Sequence, residues 1–127
     1  MKGTPKISEA EWDIMKIIWE KSPRSAQEII DILITKREWK PKTIKSLISR
    51  LVSKEALGFQ KSGKTYSYFS LVTKQECASR ETKSFLNKVY DGALNPMLLT
   101  FIKEKKLTQQ EIEELKHILE EKEHGTD

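Results

Sequence analysis

The chain has one cysteine, five glycines and four prolines among 127 residues, and each scarcity removes a class of protein. With Cys77 alone, neither an internal disulfide nor a two-cysteine metal site can form. No second thiol exists to resolve an oxidised one, so Cys77 reads as an inert, partly buried side chain. There is no glycine-rich phosphate loop and no histidine close to Cys77 in sequence, and His117 and His124 do not stand at metal-ligand spacing from it. No enzyme, no metal and no cofactor is expected. No apolar run approaches the length that spans a bilayer and no signal peptide is evident, so the expected location is cytoplasmic. The acidic run "EIEELKHILEEKE" reads as a solvated helix face with His117 exposed on it, not as catalytic carboxylates.

What the chain does have is charge, unevenly placed. The net charge is +4. Residues 1–71 hold 14 Lys and Arg against 8 Asp and Glu, residues 72–127 hold 9 against 11, and residues 36–64 alone hold 9 against 2. A local basic patch is either a polyanion-binding surface or a solvated basic face. Its centre is "KPKTIKSLISRLVSK", residues 40–54. Ile44, Leu47, Ile48 and Leu51 recur at helical spacing and define one apolar stripe. The opposite face carries Lys42, Thr43, Lys45, Ser46, Ser49 and Arg50, with no acidic residue among them.

Four segments open with Ser or Thr followed three residues later by Glu: Ser8 and Glu11, Ser25 and Glu28, Thr73 and Glu76, Thr108 and Glu111. Each pair fits a capping box, and each precedes an apolar-periodic run. The first helix is expected over 8–21, burying Trp12, Met15, Ile18 and Trp19, with Pro23 ending it. The second is expected over 25–36, burying Ala26, Ile29, Ile30 and Leu33. The third is the basic stretch, with Pro41 at its first position. The period then changes: "FQKSGKTYSYFSL" alternates around Ser62-Gly63-Lys64, the pattern of a β-hairpin. Phe59, Tyr66, Tyr68 and Leu71 are its expected apolar or amphipathic contacts. Three helices and a ribbon over residues 1–71 make a winged helix-turn-helix, with the third helix presented to a DNA major groove and the hairpin as its wing.

Residues 72–127 read as three further helices, about 73–91, 96–105 and 108–123, with a break at Asp91-Gly92 and Pro96 in a first turn after Asn95. Phe85, Leu86, Val89, Leu94, Met97, Leu98, Phe101 and Ile102 crowd the first two. Ile112, Leu115, Ile118 and Leu119 stripe the last. Short striped helices need a partner surface. They either fold back on the first lobe or pack against a second copy; the intervening hairpin favours the second copy. The expected fold class is therefore mainly α: a winged helix-turn-helix over 1–71 and a three-helix dimerisation region over 72–127.

On a DNA-binding reading, Thr43 and Ser46 lie nearest the bases, and Lys42 and Arg50 are shared between bases and phosphates. Lys45 and Ser49 flank them. Lys40, Lys61, Lys64 and Tyr66 would hold the backbone from the helix start and the wing. Arg24 and Ser25 are further phosphate candidates at a helix N-terminus, Ser25 being also a simple cap. Trp39 either anchors the turn before the third helix or rests on the sugar-phosphate backbone. A winged helix used only for protein contact would expect an apolar or mixed third-helix face instead.

"ISEAEWDIMKIIW", "WKPKTIKSLISRLVSKEAL", "KSGKTYSYF", "SFLNKVYDGALNPMLLTFIKE" and "LTQQEIEELKHILEE" together resemble the penicillinase-repressor (BlaI/MecI) family of winged-helix repressors. The resemblance runs through nearly the whole chain. It implies a homodimer on a dyad-symmetric operator, repressing β-lactamase or related resistance genes. It further implies that an antibiotic-sensing membrane metalloprotease leads to cleavage in the dimerisation helices, at the bond mapping to Thr100–Phe101. Two positions depart from the family pattern: Thr100, where Asn is usual, and Glu55, where relatives carry a glycine. A non-Gly residue in a left-handed helix end costs on the order of 1 kcal/mol, unless Gly58 absorbs a shifted turn. A copper-responsive branch of the wider family senses metal through paired cysteines near the C-terminus, which this chain does not have.

Overall fold

The computed structural model describes residues 3–125. In order, the elements are α1 (Glu9–Glu20), β1 (Arg24–Ser25), α2 (Ala26–Leu33), α3 (Pro41–Ser53), β2 (Leu57–Ser62), β3 (Thr65–Ser70), α4 (Lys74–Tyr90), α5 (Leu94–Glu104) and α6 (Gln109–Glu123). Two compact units divide the chain between Ser84 and Phe85, inside α4. Among the described residues, no helix is long and apolar enough to cross a membrane.

All four Ser/Thr-to-Glu signals form. In α1, α2 and α6 the hydroxyl accepts from the third residue's backbone N–H while the Glu carboxylate accepts from the cap's own N–H. Thr73 and Glu76 make the same reciprocal pair ahead of α4. Each box satisfies two amides that a helix start otherwise leaves orphaned.

The first unit is built on the apolar faces of α1, α2 and α3, closed by a three-stranded antiparallel sheet of order β1-β3-β2. Ile14, Met15 and Ile18 of α1, Ile29, Ile30 and Leu33 of α2, and Ile44, Leu47, Ile48 and Leu51 of α3 are all buried, joined by Ala56, Leu57 and Cys77. Burial raises the Cys77 thiol above its ordinary value, with a smaller contribution from Glu76. The hairpin turns at Gly63, whose φ of 64° is a conformation that glycine adopts without a Cβ penalty. Gly58 serves a different purpose: a Cβ there would lie 2.8 Å from the Phe69 ring across the ladder.

Several expectations are corrected. Trp12 and Trp19 are half-buried, not core. They meet edge-to-face with centroids 5.6 Å apart, and the Trp19 indole N–H donates to Ser70 Oγ and the Val72 carbonyl, so its polar edge needs access to the end of β3. Ala26 is likewise only half-buried. The second helix stops at Leu33, because residues 34–37 tighten into a turn in which Lys36 and Arg37 both donate to the Leu33 carbonyl. The two-residue strand β1 is an addition to the expected elements. It is too short to show alternation, and only pairing with β3 (Arg24 opposite Tyr68, Ser25 opposite Ser67) defines it. Leu71 lies beyond β3 and is exposed. Pro96 is the third residue of α5, whose start lies at Leu94 with Ala93 as cap.

Glu55 is accommodated by the way α3 ends. Ala56 N–H donates to the Leu51 carbonyl and Glu55 N–H to the Val52 carbonyl, a Schellman termination with Glu55 itself left-handed at φ 63°. Gly58 lies inside β2 and absorbs no turn.

Among the described residues of this unit, one charged side chain is buried. Glu11 is 1% exposed. Its Oε1 accepts from Ser8 N–H at 2.8 Å and from Lys54 Nζ at 2.7 Å, and Lys54 Nζ also donates to the Lys6 carbonyl at 2.8 Å. Burial pushes the Glu11 carboxyl up, but the hydrogen bonds from Lys54 and Ser8 and the Lys54 charge together outweigh it and hold the group below its ordinary value. The capping-box pattern accounts for only part of what Glu11 does. Its place on the stripe of Ile14, Met15 and Ile18, three, four and seven residues on, is the signal in the sequence that it points inward.

Leu47→Ala should lower the unfolding free energy by about 2–5 kcal/mol in denaturant titrations, since Leu47 is buried in the seam. The Glu11 cluster makes a second expectation, in pH. A carboxylate whose folded pKa is depressed contributes stability that is present at neutral pH and lost as pH falls through the folded value. The melting-temperature advantage of wild type over Glu11→Gln should therefore shrink as pH falls from about 5 towards 2. An advantage independent of pH in that window would show that the charged form of Glu11 adds nothing.

Candidate nucleic-acid interface

The seam that holds α3 also decides what it displays. With Ile44, Leu47, Ile48 and Leu51 inward, Lys42, Thr43, Lys45, Ser46, Ser49 and Arg50 are all exposed. Thr43, Ser46 and Arg50, at spacing i, i+3 and i+7, run along one line of that face. The helix begins on Lys40, which makes no side-chain cap, and no acidic residue lies in its first turn. The partial positive charge of the helix start is thus reinforced by Lys40 and Lys42 and offset by nothing in that turn.

Arg50 differs from the lysines on this face. Its Nε lies 3.5 Å from Glu11 Oε2, an ion pair too long to be a good hydrogen bond, and its side chain is 63% exposed. Lys54, one turn on, is the shorter partner of the same carboxylate. Neither Glu11 nor Lys54 is among the sequence-based candidates for this face, because no spacing rule ties residue 11 to residues 50 and 54.

The wing lies beside the C-terminal half of α3. Ser49, Val52 and Ser53 from α3 and Phe59, Tyr66 and Tyr68 from the hairpin line one cleft of about 360 Å³. Phe59 packs edge-to-face on Tyr66, with centroids 5.4 Å apart, and lies 6.4 Å from Tyr68. Lys61, paired with Tyr66 in the ladder, holds its ammonium 5.7 Å from the Tyr66 ring centroid. Lys64 follows Gly63 at the tip and is exposed. Phe59 and Tyr66 are exposed aromatics that contact each other on the wing.

The candidates outside α3 and the wing are placed differently. Arg24 has a side chain only 13% exposed, with Nε donating to the Lys21 carbonyl at 2.9 Å and Nη2 3.7 Å from Glu20. Ser25 uses its hydroxyl as the α2 cap. Trp39 packs partly against the core under the Arg37 guanidinium, which lies 5.6 Å from its ring centroid, as the anchoring role requires.

In the second unit, Phe85 stacks on Phe101 with centroids 6.3 Å apart and meets Tyr90 edge-to-face. Asp91 and Gly92 both take positive φ where α4 gives way to α5. Phe85, Val89, Leu94, Leu98, Phe101, Ile102, Leu115, Ile118 and Leu119 are exposed in the single chain, and Leu86 and Ile112 half-buried. Met97, expected on the same surface, is already buried at 6% exposure. Thr100 is half-buried within α5, its hydroxyl donating to the Pro96 carbonyl at 2.9 Å.

Known proteins match both the sequence and the first unit. A family model described as penicillinase repressor matches residues 7–121. The methicillin resistance regulatory protein MecI of Mammaliicoccus sciuri is 44% identical over 119 residues, covering 94% of this chain and 97% of that protein. The penicillinase repressor of Bacillus licheniformis is 40% identical over 121 residues, covering 95% and 94%. The solution structure of the DNA-binding domain of the repressor BlaI is 37% identical, with a TM-score of 0.54 over 60% of this chain and 93% of that one. A second solution structure, of Bacillus licheniformis BlaI in its monomeric form with the blaP half-operator, matches with a TM-score of 0.53 and the same identity and coverage. Matched along nearly its full length in sequence and through its winged helix in structure, the chain belongs to the penicillinase repressor family.

Proposed function

We propose that the protein is a cytoplasmic, sequence-specific DNA-binding repressor that acts as a homodimer on a palindromic operator, controlling β-lactamase or related resistance genes. The observation that carries this reading is the division of α3: four apolar residues fully committed to the core, and six basic or hydroxyl residues exposed on the other side. Lysine and arginine neutralise phosphates, while short hydroxyls permit close approach and reach base edges or a thymine methyl. Lys42, Thr43, Lys45, Ser46, Ser49 and Arg50 are assigned to the groove. Lys40, Lys61, Lys64 and Tyr66 are assigned to the flanking backbone. Arg24 is a weaker member of that set, because its guanidinium is already engaged. Support comes also from the relative whose solved structure includes a half-operator.

Work is divided between residues 1–71, which bind DNA, and residues 72–127, which join two copies. The exposed apolar side chains from Phe85 to Leu119 favour this assignment, since a single chain leaves them in water. Two tethered winged helices bind the halves of a palindrome with the second contact made at high effective concentration. Proteolysis between Thr100 and Phe101, set off by an activated membrane sensor metalloprotease, would remove α6 with Ile112, Leu115, Ile118 and Leu119. The winged helix would survive and the tether would not. Thr100 lies within a helix, so the bond has to unwind locally before a protease can hold it extended.

Two measurements test this reading. The affinity of the full chain for duplex DNA should fall linearly with salt on logarithmic axes, and Lys42→Ala should reduce that slope by about one with the circular dichroism spectrum unchanged. Salt-independent binding would point to a protein-interaction module instead. Mass spectrometry of the chain exposed to the activated sensor should show a cut between Thr100 and Phe101, and sedimentation should find the 1–100 fragment monomeric where the full chain is dimeric. A cut elsewhere, or a dimeric fragment, would contradict the proposed release mechanism.

A further inference from the structure

We propose that Glu11 is a positioning residue for DNA binding: its buried carboxylate, neutralised by Lys54, holds Arg50 by the inner nitrogen of its guanidinium and leaves the outer end to the nucleic acid. The inference rests on the DNA-binding reading above. Glu11 shares its two oxygens unequally. Oε1 takes the short bonds, from Ser8 N–H at 2.8 Å and Lys54 Nζ at 2.7 Å, whereas Oε2 faces Arg50 Nε at 3.5 Å. One cation at hydrogen-bond distance already balances the carboxylate, so Arg50 is not needed to keep Glu11 charged.

The consequence falls on Arg50. A long side chain at the end of an exposed helix face explores many rotamers, and ordering them opposes binding. An ion pair made through Nε restricts that freedom, and among the described residues no hydrogen bond occupies either terminal amino group. Those groups carry four of the five N–H donors of a guanidinium and can form the bidentate fork that matches a phosphate or a guanine edge. Arg50 also continues the line of Thr43 and Ser46 along α3, so an arginine fixed there presents its fork on the proposed contact face. Lys54 is itself tied to the Lys6 carbonyl at 2.8 Å, which anchors the carboxylate's main partner to the chain ahead of α1.

The experiment measures affinity of the full chain for the duplex that wild type itself enriches from a randomised pool. Glu11→Gln keeps a residue that fits the capping box and raises the net charge by one. General electrostatics therefore predicts tighter binding for this variant, and positioning predicts weaker. The expected result is a loss of about 10-fold, absent when Glu11→Gln is introduced into an Arg50→Gln background. Unchanged or tighter binding by Glu11→Gln overturns the proposal, and so does an equal loss in both backgrounds, which is the mark of a purely structural role. Arg50→Lys keeps the charge at an exposed position and removes the fork, so it decides the matter even if Glu11→Gln does not fold. A loss of about 10-fold supports the fork as the part of Arg50 that has to be positioned, and wild-type affinity overturns the proposal. A wild-type chain that enriches no duplex overturns the DNA-binding reading itself, whereas Arg50→Gln weakened and Glu11→Gln unaffected overturns this inference alone.

Discussion

Ile44, Leu47, Ile48 and Leu51 leave α3 one way to lie against α1, α2 and β2, and that orientation determines which of its side chains meet solvent. Each of the four is at most 5% exposed. Rotating the helix about its axis would bring lysines among apolar side chains, beside a single buried carboxylate among the described residues that Lys54 already occupies, and the cost of burying an unpaired charge forbids that. The cationic, hydroxyl-rich surface is thus a consequence of hydrophobic packing. No separate interaction is needed to turn it outward, and the Schellman termination at Glu55 sends the chain directly from that helix into the wing.

The same unit tolerates one carboxylate inside, and its partners explain how. Glu11 is satisfied by a backbone amide and an ammonium at hydrogen-bond distance, and faces a guanidinium beyond. Among the described residues, no side-chain polar atom is both buried and without a hydrogen-bond partner. Both cations come from the end of α3 and its cap, so the group that starts α1 also marks the end of the helix carrying the proposed contact residues. Packing sets the rotation of α3, and this cluster adds an electrostatic restraint at one end.

The second unit follows a different balance. Its helices carry as many large apolar residues as a core needs, yet Met97 is the one residue of this unit that is buried among those described. Aromatic stacking between Phe85 and Phe101 ties α4 to α5, but the rest of the stripe stays wet. A helix with so much uncovered apolar surface is unfavourable alone, which is the physical basis for assigning it to self-association.

Much of this is legible in the amino-acid order, because the interactions concerned are local. Capping boxes join residues three apart, a stripe at helical spacing names its own buried face, and Gly63 marks its own turn. Helix starts, the α3 face and the hairpin are therefore written in neighbouring residues. What escapes such a reading depends on residues distant in sequence. Strand β1 exists only through pairing with β3, and the Trp19 N–H is taken up by Ser70 and Val72, more than fifty residues on. The Glu11 cluster unites residues 6, 8 and 11 with residues 50 and 54, and no spacing rule links the first group to the second. The sequence by itself determined which faces are apolar and which are charged, since periodicity is a property of neighbours along the chain. Only the tertiary structure decided which charges are neutralised and which face solvent, since that depends on what the fold brings within a few ångströms.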